Sequence, residues 1–196
     1  MNTPAPATRL PLFPLHSVLF PGGKVQLRVF ERRYLDLIRD CAGSGRPFGV
    51  VLIAQGTESG APATPEAVGT SAVITDFHGL PGGLLGIQAC GSRRFQILHH
   101  QAEADGLLVG QVHWLAEDGN DQPVPPQFGL LAHLLYNLLD RFGELPQSNR
   151  SFDDAAWVGW RLAETLPLSL PQRQQLLAVD DALARLQHLA DWLPQL

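Results

Sequence analysis

Short apolar runs separated by glycine, proline and serine characterise the chain from residue 9 to about residue 116. Runs of this length that are rich in β-branched residues, or that alternate between apolar and polar positions, are typical of β-strands. Tight turns at Gly91-Ser92 and in the segment 103–106 favour an antiparallel meander. The pattern predicts strands at 25–29, 48–54, 68–77, 84–90, 94–99 and 107–115.

Proline interrupts the apolar segment that opens this region, LPLFPLHSVLFPGG at residues 10–23. Because proline has no N–H to donate to a sheet and fixes its own φ, Pro11, Pro14 and Pro21 should confine the segment to short extended pieces, edges and bends. We therefore expect a broken strand that runs along a barrel-like core and turns after Pro21.

One helix is predicted between the strands, in the stretch ERRYLDLIRDCAGSG. Apolar side chains recur there at helical spacing, and a glycine that follows them can adopt the left-handed conformation that ends a helix. We assign that role to Gly43 and expect the helix to cover an open end of the barrel. Its predicted buried stripe consists of Tyr34, Leu37, Ile38 and Cys41.

Residues 117–126, EDGNDQPVPP, are polar and proline-rich and predict a linker. After this segment the spacing of apolar residues becomes that of α-helices. The second predicted helix starts at Asp153 or Asp154, and Ser169 and Asp180 are predicted to cap the last two helices. The first helix after the linker has a predicted apolar stripe of Leu131, Leu134, Leu135, Leu138 and Phe142.

The pattern as a whole predicts an α+β fold with two units. A β-barrel unit is expected at 9–116, a linker at 117–126 and a helical bundle at 127–196.

Composition indicates a globular protein, because 45% of its 196 residues are hydrophobic and 17% are charged. No apolar run approaches the roughly 20 residues of a membrane span, and the start lacks a signal peptide, so we expect a soluble, cytoplasmic protein that does not bind membranes. The net charge of −5 disfavours nucleic acid as a partner. Cys41 and Cys90 lack metal-ligand spacing and are expected to be reduced thiols.

Catalytic and cofactor-binding motifs are missing from the sequence. Lys24 is the single lysine, and it lacks the loop and the following Ser or Thr of a P-loop, which argues against ATP binding. Neither G-x-S-x-G nor H-E-x-x-H occurs, and the adjacent His99 and His100 would point to opposite faces of a strand. We therefore expect a protein that is not an enzyme and that holds no metal or cofactor.

Two pairs of adjacent arginines, Arg32-Arg33 and Arg93-Arg94, are the densest positive positions. Either pair could bind a carboxylate or a phosphate, but acidic residues lie close enough in sequence to neutralise them. We favour a structural ion-pair network, in which Glu31 pairs with Arg93 or Arg94.

Several motifs follow one another along nearly the whole chain: L-P-L-F-P-L-x-x-V-L-F-P-G-G, R-V-F-E-R-R-Y, F-G-V-V-L-I, A-V-G-T, G-S-R-R-F, D-G-L-L-V-G-Q-V-H-W-L, W-R-L-A-E-T-L-P-L and L-L-A-V-D-D-A-L-A-R-L. Together they resemble the Lon protease N-terminal domain family, also called the Lon substrate-binding domain. The resemblance implies a PUA-like pseudo-barrel with one covering helix, followed by a helical bundle. In full-length Lon proteases this domain precedes an ATPase and a peptidase domain, and the missing P-loop and the single lysine predict a stand-alone member without them. One departure is Arg32, where the family commonly has the proline of F-E-P-R-Y.

The resemblance implies a non-catalytic module that recognises polypeptide segments or unfolded protein, as an adaptor or in a chaperone-like role. Recognition would use an apolar groove or the addition of a strand at an open barrel edge. A PUA-like RNA-binding module is the alternative, and it would need a contiguous basic face with accessible aromatic residues. A small-molecule-binding enzyme, which would need a pocket with converging polar groups, is a third reading.

Binding of a polypeptide requires apolar surface that a closed barrel would hide, and we expect it at the rim before and within the first helix and in a glycine-rich loop. In that loop Leu80 is difficult to bury, while Arg33 could hold a carboxylate or a peptide carbonyl. Ordinary packing is the alternative, since Tyr34 also belongs to the helix stripe. The predicted peptide-binding residues are Phe30, Arg33, Tyr34, Phe77, His78 and Leu80.

Overall fold

The computed structural model describes residues 7–116 and 122–195 of the chain. The chain divides into two compact units, Met1–Leu115 and Ala116–Leu196. Residues 117–121 of the predicted linker lie outside the described residues. Within the described ranges, no helix combines the length and the apolar character that crossing a membrane requires.

A six-stranded sheet that closes on itself forms the first unit. Its strands are β1 (Thr8–Leu15), β2 (Lys24–Val29), β3 (Phe48–Gln55), β4 (Thr64–Leu80), β5 (Leu84–Ala102) and β6 (Leu108–Trp114). The order is β2-β5-β4-β3-β1-β6, and β5 also pairs with β6. Five strands therefore make a ring, and β2 extends the sheet outside it. The pairing of β1 with β3 is parallel, whereas the other pairings are antiparallel.

Strand β1 runs without a break through Pro11 and Pro14, so the interruption predicted at these two prolines is wrong, whereas the turn predicted after Pro21 is present. Instead, different parts of β1 pair with different strands. Its first half pairs with β6 and its second half with β3, and the two halves meet at Leu12. A proline is tolerated where its missing N–H would face an edge without a partner. Leu12 and Phe13 point to opposite faces and are both buried, which explains the continuous apolar run.

Strand β5 is one long strand, although the sequence predicted two strands with a turn beginning at Gly91. The pairing with β4 shifts register there, because Ala72 pairs with Gly91 while Thr70 pairs with Arg94. Such a bulge bends a strand without ending it. As a result the first half of β5 pairs with β2 and the second half with β6.

Phe95 of β5 is fully buried among side chains of β1, β3 and β6, in the interior of the ring. Glycines of the neighbouring strands make room for its ring. A Cβ added at Gly49 would lie 2.6 Å from Phe95, and one added at Gly69 would lie 2.6 Å from the carbonyl oxygen of Val50. The ring of strands can close this tightly because these positions carry no side chain.

Helix α1 (Arg32–Ser44) buries the predicted stripe against the strands of the first unit, in a cluster that includes Phe13 and Ile87. The helix ends later than predicted. Gly45, with φ of 68°, takes the left-handed conformation that was assigned to Gly43. The pattern also did not predict that Arg33 is buried.

Four α-helices form the described part of the second unit: α2 (Gly129–Phe142), α3 (Ala155–Thr165), α4 (Leu170–Ala178) and α5 (Ala182–Trp192). Helix α3 contacts the other three and is buried along most of its length. Strands followed by helices confirm the predicted α+β class.

Side-chain caps start three of these helices. Asp154 accepts hydrogen bonds from two backbone N–H groups of α3, and Ser169 forms a capping box at α4. Both caps are at predicted positions. Helix α5 is capped by Asp181 rather than by Asp180.

The buried face of α2 differs from the predicted stripe, and the buried face of α5 includes an arginine. Phe142 is 63% exposed, and Leu139 occupies the core position in its place. In α5, Arg185 is fully buried, with its guanidinium carbon 3.2 Å from the centre of the Trp160 ring. Its Nη2 donates to the carbonyl oxygen of Val179 at 2.8 Å, which satisfies a group at the end of α4.

Candidate functional site

Strand β2 alternates between exposed polar and buried apolar side chains. Lys24, Gln26 and Arg28 are exposed, whereas Leu27 and Val29 are buried. This alternation is typical of a strand with one solvated face. Among the described strands β2 has one neighbour, β5, so its other edge pairs with none of them. A free edge is a place where another chain can add a strand.

The register with β5 decides which backbone groups lie along the free edge. The N–H of Gly91 donates to the carbonyl oxygen of Gly23 at 2.8 Å, and Lys24 follows as the next residue of β2. Hydrogen-bonded and non-hydrogen-bonded pairs alternate in an antiparallel ladder. The N–H and C=O groups of Lys24, Gln26 and Arg28 therefore point away from β5, along the free edge.

A cleft of about 410 Å³ borders this edge, and we call it the edge cleft. Side chains of β1, β2, α1 and the segment between β3 and β4 line it. The apolar ones are Phe13, Leu15, Val25, Leu27, Phe30 and Tyr34, and the polar ones are Ser17, Gln26, Arg28, Glu31, Glu58 and Ser59. Mixed walls of this kind suit a ligand that has both apolar and polar groups.

Two of the predicted site residues lie in the edge cleft. Phe30, in the connection between β2 and α1, is 59% exposed. Tyr34 is buried, with its ring stacked on that of Phe13 at 4.2 Å between centroids. Phe30 is thus an exposed apolar side chain of the cleft, whereas Tyr34 forms part of its wall.

Arg33 lines a second cleft, of about 460 Å³, rather than the edge cleft. Its Nη2 lies 2.8 Å from the carboxylate of Glu31, and its Nη1 donates to the carbonyl oxygen of Gly106 at 2.7 Å. The predicted pairing of Glu31 with Arg93 or Arg94 is therefore wrong. A buried guanidinium needs a counter-charge, and Glu31 lies two residues away at the start of the same helix.

The second cleft is lined by both positive and negative side chains, of which Arg9 and Glu103 pair with each other. Cys41 also lines it. Burial raises the pKa of the Cys41 thiol, with Arg46 opposing the rise and Asp40 adding to it. A thiol with a raised pKa stays protonated near neutrality and is a poor nucleophile. Among the described residues no cluster of three or more His, Cys, Asp or Glu could hold a metal ion.

Two carboxylates act electrostatically on the phenol of Tyr34. Burial is the main cause that raises the pKa of Tyr34. Arg33 opposes the rise, and Glu31 and Glu58 add to it. Glu58 is held in place because its Oε1 accepts the backbone N–H of His16 at 2.6 Å. Both of these carboxylates, Glu31 and Glu58, line the edge cleft.

The β4–β5 hairpin carries the other three predicted site residues. Phe77 is 49% exposed, and His78 and Leu80 are half-buried. These side chains line neither of the two clefts. Val29, the last residue of β2, pairs with Leu85 near the hairpin tip, so the tip lies beside the end of β2. The binding roles of all six predicted residues, including the two in the edge cleft, stay predictions.

Sequence reasoning missed the contributions of Glu58 and of the edge of β2. The alternation K-V-Q-L-R-V with three polar residues on one face would have indicated an edge strand. No comparable signal exists for Glu58, because its position depends on a contact with His16, 42 residues away along the chain.

Comparison with known proteins adds the family. A model described as the ATP-dependent protease La (LON) substrate-binding domain matches residues 9–195. The chain belongs to the Lon substrate-binding domain family. This family membership and the closed sheet confirm the resemblance that the motifs indicated, and the family description makes the chain a substrate-binding module.

Solved Lon N-terminal domains have the same fold. The Lon N-terminal domain protein from Xanthomonas campestris is 47% identical, covers 94% of this chain and 98% of its own, and superposes with a TM-score of 0.81. The N-terminal domain of the Mycobacterium avium complex Lon protease is 21% identical, with coverages of 94% and 97% and a TM-score of 0.68, and supports the fold alone. No curated protein matches the chain significantly.

Proposed function

We propose that this member of the Lon substrate-binding domain family is a non-catalytic module that binds extended segments of other polypeptides, as an adaptor or in a chaperone-like role. The observation that carries the proposal is the free edge of β2 beside the edge cleft.

Cys41 and Cys90 are free thiols, which supports a reducing compartment such as the cytoplasm.

The backbone of β2 supplies the part of the binding that does not depend on sequence. An added strand would pair with the outward N–H and C=O groups of Lys24, Gln26 and Arg28. Each such hydrogen bond contributes about 0.5–1.5 kcal/mol net. Main-chain pairing of this kind accepts many sequences, which suits a module that recognises unfolded protein.

The edge cleft supplies the apolar part of the binding. Alternate side chains of an added strand point to the same face, so every second residue of the segment would face the cleft. There it would contact Phe30, whose exposed ring would lose its contact with water. Burying an aromatic side chain of this size contributes about 1.5–3 kcal/mol.

The hairpin tip would flank the bound segment. We include Phe77, His78 and Leu80 in the proposed surface because the tip lies beside the end of β2 and Phe77 is half exposed. Arg33 would act indirectly, from outside the edge cleft, by holding Glu31 in position.

Fluorescence anisotropy with a labelled, uncharged ten-residue peptide of alternating valine and threonine tests the apolar contact. We expect the Phe30→Ser variant to bind the peptide about tenfold more weakly, with an unchanged thermal midpoint. Leu98→Ser is the matched control, because Leu98 is 60% exposed, like Phe30, but does not line the edge cleft.

Gln26→Pro tests strand addition in the same assay. Proline removes an N–H that points away from β5, so the sheet keeps its own hydrogen bonds while the added strand loses one. We expect a folded protein that no longer binds the peptide. Unchanged binding by folded Phe30→Ser and Gln26→Pro variants, or binding of single-stranded RNA in place of peptide, would contradict the proposed function.

A further inference from the structure

The charged side chains that line the edge cleft are two glutamates and one arginine, Arg28. Glu31 and Glu58 both line it, on the two sides of Tyr34 in sequence, and both act on the phenol of Tyr34. Glu31 has a partner, the guanidinium of Arg33. Within residues 7–116 and 122–195 Glu58 has no ion-pair partner, and its carboxylate accepts the neutral N–H of His16.

The cation that lines the same cleft does not neutralise Glu58. Arg28 alternates with the buried Leu27 and Val29 along β2, so its side chain projects from the exposed face of the strand. The described residues show no ion pair between Arg28 and either glutamate. Within the part of the chain that the structure describes, the negative charge of Glu58 is thus not compensated by an ion pair.

We propose that the segment bound at the edge cleft carries a lysine or arginine whose charged end lies beside Glu58 and Glu31, near the hydroxyl of Tyr34. This inference rests on the proposed function and names the class of polypeptide that the site prefers. The stem of such a side chain is apolar and would pack on Phe30, while its charged end reaches the carboxylates. A strand with one basic residue among apolar ones therefore matches both walls of the cleft.

Three peptides of one length separate this preference from binding itself. The uncharged peptide carries norleucine at its centre, and matched peptides carry lysine or glutamate there. We expect the lysine peptide to bind about fivefold more tightly than the norleucine peptide and the glutamate peptide to bind more weakly than both. The preference should shrink as NaCl is raised from about 0.05 M to about 0.5 M, because salt screens exposed charges.

Glu58→Gln identifies the carboxylate responsible. Glutamine keeps an oxygen to accept the His16 N–H and removes the charge, so we expect the preference for lysine over norleucine to fall below about twofold. Glu66→Gln is the control, because Glu66 lies on β4 and does not line the cleft.

The possible results keep the two proposals apart. Equal binding of the three peptides, or a lysine preference that Glu58→Gln leaves intact, would overturn this inference while the proposed function stands. Failure of the norleucine peptide to bind at all would overturn the proposed function and this inference with it.

Discussion

Phe95 occupies the interior of the strand ring because its neighbours carry no side chain. A Cβ at Gly69 would lie 2.6 Å from the carbonyl oxygen of Val50 and 2.7 Å from the Phe95 ring. The backbone carbonyl cannot rotate away, so overpacking must move the strand. We expect Gly69→Ala to lower the free energy of unfolding by about 1–3 kcal/mol, measured by urea denaturation.

Gly43→Ala provides the matched control for this substitution. A Cβ at Gly43 meets no atom within 4 Å, and the residue lies inside α1. Alanine favours a helix over glycine by about 1 kcal/mol, so this variant should be as stable as the original protein or more so. Equal losses in both variants would show that the close approach at Gly69 has no effect.

Single residues were predicted well where one pattern decides their environment. The α1 stripe of Tyr34, Leu37, Ile38 and Cys41 follows from helical spacing alone. The burial of Arg33 could not be predicted in this way, because it depends on Glu31 and on the carbonyl of Gly106, a residue distant in sequence.

Whether a segment is a helix or a strand was predicted correctly more often than where the element begins and ends. A glycine followed by a serine is equally compatible with a turn and with a bulge, and the choice at Gly91 is made by the pairing with β4 and β2. Likewise, the prolines do not indicate that the first half of β1 pairs with β6 and the second half with β3. Helix starts were better predicted because a cap is a local interaction.

The capping box of α4 gives a prediction at this scale. The Ser169 hydroxyl accepts the N–H of Gln172 at 3.4 Å, and the Gln172 side chain accepts the N–H of Ser169 at 2.9 Å. We expect Ser169→Ala to destabilise the protein by about 1 kcal/mol in chemical denaturation. Ser169→Asp retains an acceptor and should stay within a few tenths of the original stability. Equal losses in the two variants would mean that the cap does not stabilise the helix.

Nearly the whole sequence matches the Lon substrate-binding domain family. The motifs were sufficient to predict this family and the fold class. They were not sufficient to locate the edge cleft. That cleft joins β1, β2, α1 and the Glu58 segment, which are separated along the chain and meet only when the sheet has closed.

The expected lack of ATPase and peptidase activity can be tested at one residue, Lys24. Lys24 is the only lysine in the sequence, whereas a P-loop and a serine–lysine dyad each require one. We expect the purified protein to release no phosphate from ATP and no fragments from fluorescent casein with ATP present. Either activity, if it were lost in Lys24→Ala protein purified in parallel, would contradict this expectation.

The closure of the sheet by β1 and β6 has a consequence for the order of folding. The Trp114 side chain hydrogen-bonds to that of Thr8 across 106 residues of sequence. Contacts of this separation cost loop entropy before they contribute stability, so they form late and slow the overall rate. During synthesis on a ribosome, the first strand to emerge must therefore wait for the sixth before both of its edges are paired.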